Sequence, residues 1–258
     1  MTTHSSQRRR GRGVRIFVSI LVIGAVTAGL AYFGPGLFRS IQDGMQRMFS
    51  ECTVTAEETI GLDRDQAQRA ITAVALAARG LDTPDTSDLD DRVLEQLAQG
   101  PSDDAGPSLA CQGEAGTDLP EQEPTDTGLT PRAEQVRESI TEVFGDLPMG
   151  GFAPGGVDEG HVPDSTHYDG RAIDIFFRPV TEENRRQGWI VAQWLVAHAD
   201  ELHVQYVIFD DLVWSARSAR GQWADYDAPD PANEILRHLD HVHVDVLGGE
   251  PVSDGPQT

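Results

Sequence analysis

Two histidines and a carboxylate recur in a β-like, apolar setting. Ser165-Thr166-His167-Tyr168-Asp169-Gly170-Arg171-Ala172-Ile173-Asp174 is followed near the C-terminus by Asp240-His241-Val242-His243. Imidazole and carboxylate in this ratio form the protein ligand set of a catalytic zinc site, in which three side chains leave one position open. In a strand, successive side chains alternate faces. His241, His243 and Asp245 therefore share one face, with Val242, Val244 and Val246 on the other. Asp174 shares a face with Ala172 and Phe176. If these strands are neighbours, Asp174 and His243 converge, and His167, in a turn beside Gly170, folds over to complete a triad. The bland alternative makes Asp174 a hydrogen-bonded core acid and His241 and His243 surface or interface histidines. A carboxylate inside Ala-Ile-Asp-Ile-Phe-Phe is costly to bury unpaired, so it needs a strong partner under either reading.

The stretch Ser165 to Asp174 resembles, at every fixed position, the S-x-H-x-x-G-x-A-x-D signature of the zinc peptidases of the lysostaphin, D-Ala-D-Ala peptidase and sonic hedgehog group. The ending His238-Leu239-Asp240-His241-Val242-His243-Val244 is similar to that of its actinobacterial cell-wall peptidase-like branch. The resemblance spans residues 130–248. It implies an α+β domain with a small antiparallel sheet and flanking helices, one Zn2+, and peptidoglycan stem peptides as substrate class. Carried across, His167, Asp174 and His243 are the metal ligands. Asp240 holds the position of the general base, three residues before the last ligand, with His241 as transition-state stabiliser. Related endopeptidases use the first His of H-x-H as base instead, here His241, and strand alternation turns that residue toward the metal. One departure stands out: the resemblance leads one to expect an arginine after the aromatic residue of the upstream loop, and Phe152 is followed by Ala153. Arg171 and Arg178 are the nearest substitutes. A non-haem iron oxygenase uses the same donor types, but an extracellular position would deprive it of reductant.

The elements that must position these groups occupy the C-terminal half. Thr130-Pro131 reads as a helix cap with proline at the first helical position, followed by an apolar stripe of Val136, Ile140, Val143 and Phe144. Gly150 to Gly156 is a loop, and Ala172 to Phe177 is a β-rich run. Thr181 to Glu201 reads as a helix. Val204–Phe209 and Leu212–Ser215 flank Asp210-Asp211 as a hairpin. A polar loop region, residues 216–233, leads to a short helix reaching Leu239, and His241 to Leu247 closes as a strand. His161, His198, His203 and His238 read as structural, as do Trp189, Trp194, Trp214 and Trp223, with Trp223 the best alternative as a sugar platform.

The rest of the 258 residues divides into five further segments. Residues 1–13 form a basic tail and 14–33 an apolar run long enough to cross a bilayer as one helix. The arginines before the run should stay cytoplasmic and place the C-terminal domain outside, as a single-pass plasma-membrane protein; a cleaved signal peptide is the competing reading. Residues 34–111 read as a helical module, with one helix capped at Asp63 and another starting near Ser87 or Asp88. The only two cysteines, Cys52 and Cys111, pair as a disulfide in an oxidising compartment, which stabilises by about 4 kcal/mol in the chain-entropy model. Residues 112–129 read as an acidic flexible linker and 249–258 as a tail.

Charge sharpens the partner list. All 20 basic residues are arginine, and the net charge is −22. Residues 1–42 hold six arginines and no acid, so the remainder carries 42 acids against 14 arginines. Such a surface excludes a nucleic-acid backbone as partner. The membrane, through the N-terminal helix, and cell-wall peptides are the expected partners.

Overall fold

The computed structural model describes residues 50–100, 107–114, 116, 118–218 and 220–249. The expected basic tail and membrane anchor, residues 1–33, lie outside them. Among the described residues no helix is long and apolar enough to cross a membrane.

Among the described residues lie two antiparallel sheets and four helices. The first sheet has the order β2-β1-β3, from β1 (Cys52–Thr55), β2 (Thr59–Leu62) and β3 (Leu109–Cys111). The region between the cysteines is thus not purely helical, because both cysteines sit on strands, opposite one another in the β1–β3 register. The disulfide Cys52–Cys111 forms across that pair. Strands of three or four residues carry too little period-two pattern to stand out in a sequence. Helices α1 (Arg64–Ala78) and α2 (Asp91–Gln99) follow β2. Asp63 caps α1 in a reciprocal capping box with Gln66, as its position in the sequence suggests. Helix α2 starts later than expected, because Asp90 rather than Ser87 or Asp88 accepts a first-turn amide.

The second sheet, of order β4-β5-β9-β6-β7-β8, carries the site. Its strands are β4 (Met149–Gly150), β5 (Ala172–Phe176), β6 (Val204–Phe209), β7 (Leu212–Ser215), β8 (Ala224–Asp225) and β9 (His241–Val246). Helix α3 (Pro131–Phe144) precedes β4, and α4 (Glu182–Ala197) joins β5 to β6. Every residue of β9 is buried. Val242, Val244 and Val246 belong to the apolar core with Trp189, Leu195 and Ile140, so the alternate face carries the histidines. Asp210 and Asp211 both take positive φ, 52° and 63°, the twist that a two-residue hairpin between β6 and β7 requires.

Thr130 departs from its expected role. Its side chain makes no capping bond and its hydroxyl is buried without a partner, while its amide donates to the Gly170 carbonyl at 2.8 Å. The segment 112–129, expected as a flexible linker, has no helix or extended strand among its described residues but is held down. The Arg132 guanidinium donates to Pro120 O at 2.6 Å, and the Gln122 side chain accepts from Arg132 N at 3.0 Å. The short helix expected to reach Leu239 does not form; residues 231–239 run through turns instead.

Candidate metal centre

β5 and β9 pair directly, with Asp174 opposite His243 and Phe176 opposite His241. The adjacency that strand alternation left conditional is present. His167 enters from the turn before β5, where Gly170, at φ 67°, packs against the Gly128 carbonyl too closely for any side chain. Its Nε2 lies 3.2 Å from Asp174 Oδ1 and 3.2 Å from His243 Nδ1. His243 Nδ1 is in turn 3.2 Å from Asp174 Oδ1.

This triangle discriminates between chemistries. His167 Nδ1 is 2.8 Å from the Gly151 carbonyl, an acceptor, so Nδ1 carries the proton and a neutral ring turns a bare Nε2 lone pair inward. A single proton among three lone-pair atoms serves two of the three edges at best. A cation at the centre serves all three. Ligand atoms held tetrahedrally about 2.0–2.1 Å from one ion lie about 3.3 Å apart, close to the edges found here. The donor set therefore fits a divalent metal. Gly151 is part of this fit: at φ 80°, a Cβ built on it would lie 2.3 Å from His167 Cε1.

His241 supplies a fourth inward atom. Its Nδ1 is 2.7 Å from Asp240 Oδ1, which leaves Nε2 facing Asp174 Oδ1 at 3.6 Å. Asp240 stands behind the ring, and its other oxygen accepts from Arg178 Nε at 2.6 Å. Burial alone would push the Asp240 carboxyl up, but its bonds to His241 and Arg178 hold it below the ordinary range. Asp174 follows the same logic: burial is outweighed by His167 and His243, and it stays ionised. Burial pulls the His243 imidazole down, and the bond to Asp174 more than reverses that. Asp245 shares the face but does another job. Its Oδ1 accepts from Tyr206 N at 2.9 Å, where the β6–β9 register slips by a bulge.

Two histidines that read as structural also reach the site. His161 stacks on His167 with ring centroids 3.9 Å apart, and its ligand atom lies within 4.8 Å of those of His167 and Asp174. These three residues form a group able to hold a metal ion. The tyrosine of the motif fixes His161: Tyr168 Oη accepts from His161 N at 3.1 Å and donates to its carbonyl at 2.8 Å. His238, at φ 56°, lies 4.7 Å from His241 between ring centroids. Burial, with His243 and His241 beside it, holds its imidazole down at about 3. The sequence offered no sign of either beyond proximity to the motifs.

The other residues singled out in the sequence lie elsewhere. His198 accompanies α4, with Nδ1 2.8 Å from the Trp194 carbonyl. Trp223 is not a sugar platform, since its indole donates to Leu109 O at 3.0 Å and packs on Trp189. Arg171 bonds Asp169 and the Val246 carbonyl and does not line the cavity over the histidine cluster. Arg178 does. That cavity has a volume of about 600 Å³ and is walled by Val162, Phe176, Ile208, Tyr226 and Ile235 as well as the histidines.

Residues 125–234 are similar to the family described as VldE, C-terminal domain, less than half of the chain. The matched stretch includes His161, His167 and Asp174 and ends before β9, so His241 and His243 fall outside it. No curated protein and no solved structure matches.

Proposed function

We propose that this chain is a zinc metallopeptidase that hydrolyses peptidoglycan stem peptides. In this reading residues 14–33 anchor it in the plasma membrane and the catalytic domain is extracytoplasmic. The observation that carries the reading is the 3.2 Å triangle of His167 Nε2, Asp174 Oδ1 and His243 Nδ1 at the floor of an open cavity. The motif from Ser165 to Asp174 supports the substrate class. Bound there, zinc would supply a Lewis acid that polarises a carbonyl and makes water more acidic.

The chain's own groups then divide the proton work. His241 Nε2 is the inward atom placed to take the proton of the attacking water and return it to the departing amine. Asp240, ionised and bonded to Nδ1, holds the ring in the tautomer that leaves Nε2 bare and steadies the imidazolium while it lasts. Arg178 keeps Asp240 ionised. The resemblance suggested Asp240 as base. With both carboxylate oxygens engaged and His241 between it and the cluster, Asp240 serves better as the orienting acid.

His161 motivates a second reading. Its place beside His167 and Asp174 offers a fourth ligand, and four protein ligands close a zinc site to catalysis. A closed site would make this a zinc domain that binds cell-wall peptides or a protein partner without cutting them.

The test takes the full chain, stripped with a chelator, titrated with zinc, and incubated with muropeptides. One zinc per chain and new amino termini are expected, both lost in His167→Ala, Asp174→Asn and His243→Ala, with affinity for zinc lowered by more than ~100-fold. Zinc bound without cleavage would favour the second reading, and His161→Ala should then switch activity on. Absence of bound metal would end both.

A further inference from the structure

We propose that residues 157–164 form a lid over the metal centre, latched by the Tyr168 hydroxyl, and that a peptide entering the cavity lifts His161 from the position it guards. This rests on the peptidase reading and adds its regulation: the resting site is capped, and substrate uncaps it. No residue from 153 to 166 is buried, so no side chain of the lid is anchored in the core. Gly155 and Gly156 at its start and Gly160 within it hold φ of 88°, 86° and 94°, with open space where a Cβ would lie. The backbone can turn there without collision. Polar ties are as few. Among the described residues, the lid is joined to the chain outside it by the Tyr168 hydroxyl and by the next turn, where Ser165 N donates to Val162 O at 3.2 Å. The hydroxyl accepts from His161 N at 3.1 Å and donates to the His161 carbonyl at 2.8 Å. Two bonds to one side-chain oxygen thus hold the residue whose ring stacks on His167.

The lid touches both the metal position and the peptide's path. His161 offers a ligand atom within 4.8 Å of those of His167 and Asp174. That spread is wider than the edge of about 3.3 Å expected between ligands of one tetrahedral ion, so the ring stands beside the open position, a short shift from filling it. Gly160, His161 and Val162 are consecutive wall residues of the cavity, and a peptide seated there must press on the lid itself. Tyr168 adjoins the ligand His167 in the chain, which ties the latch to the centre it closes. A lid that excludes peptide when shut raises the apparent dissociation constant in proportion to the closed population, while a lid that lends a ligand tightens the hold on metal. Loosening the latch therefore weakens metal binding and strengthens peptide binding. A merely damaged fold would weaken both.

The experiment compares the parent full chain with Tyr168→Phe, which removes the hydroxyl alone, and with His161→Ala. In Tyr168→Phe, zinc affinity is expected to fall about fivefold, while KM for a muropeptide also falls about fivefold at unchanged kcat. In His161→Ala, zinc affinity should fall roughly 10–100-fold. Cobalt loaded in place of zinc reports the ligands directly: the visible spectrum of the parent should differ from that of His161→Ala and shift toward it when muropeptide is added. The same titration gives muropeptide binding without turnover. Zinc affinity and cobalt spectrum unchanged in His161→Ala, or a KM in Tyr168→Phe that does not fall, overturns the lid and leaves the peptidase standing. The expected changes in metal and muropeptide binding, with no muropeptide cleaved by any of the three proteins, overturn the peptidase and leave the lid. If none of the three holds metal, both fall.

Discussion

Gly151 shows how a residue with no side chain controls the chemistry of one that has it. Its carbonyl takes the Nδ1 proton of His167, and its missing Cβ leaves the space that the His167 ring fills. Gly151→Ala would place a methyl 2.3 Å from His167 Cε1 in a backbone at φ 80°, where side chains are strained. The ring must then turn away from Asp174 and His243. Zinc affinity should fall roughly 10–100-fold, as on losing an outer-shell partner, while the metal-free fold should lose only about 1 kcal/mol. Calorimetric zinc titration beside urea unfolding of the stripped chain separates the two effects. Equal losses in both would make Gly151 a purely structural residue. His167, Asp174 and His243 were legible because a spaced motif and strand alternation each fix a direction. Gly151 and His161 were not, because a loop residue's neighbours depend on how the loop closes. The glycine run from Gly150 to Gly156 signalled a tight loop and nothing about which ring it would meet.

Elements whose signals are local emerged as expected. The Asp210-Asp211 hairpin, the capping box at Asp63 and proline at the start of α3 each depend on a few adjacent residues. The turns before Leu239 did not become a helix, and Thr130 gave up its capping bond; its amide goes to Gly170 instead, a contact no local pattern shows. The end of α4 carries a testable case. A histidine near a helix C-terminus favours the charged form by its dipole, yet burial at His198, stacked on Trp194, wins and lowers its imidazole below 6.5. Below that pH the unfolded chain binds a proton that the folded chain refuses. His198 therefore contributes a loss of stability as pH falls, at most ~1.4 kcal/mol per pH unit. Urea midpoints at pH 7.5 and 5.5 should differ less in His198→Gln than in the parent. An unchanged difference would mean that other groups carry the whole effect.

The sequence suggests a site-bearing domain that stands apart from a disulfide module, but the polar contacts across that division argue that they fold together. The described residues form one compact unit. β3 is its seam: Leu109 N donates to the buried Gln193 side chain at 2.7 Å, and the Trp223 and Trp214 indoles donate to Leu109 O and Cys111 O at 3.0 and 2.9 Å. Trp214 is fully buried. Nothing in a single sequence couples Leu109 to Gln193, 84 residues on, so composition alone placed a boundary where the core is continuous. Removing residues before 112 would strand those two indoles and one amide. Losing such a partner costs about 1–3 kcal/mol where the group stays buried, and losing β1, α1 and α2 bares the apolar surface they cover, against the 5–15 kcal/mol that typically separates folded from unfolded chains. A fragment starting at residue 112 should therefore fail to fold, giving no near-ultraviolet circular dichroism and no zinc retention, while the full chain should unfold with tryptophan fluorescence and zinc release in one transition. A soluble fragment with native tryptophan signals and bound zinc would instead make the first sheet and its helices an accessory, and their contacts with Gln193, Trp214 and Trp223 a docking surface rather than part of the core.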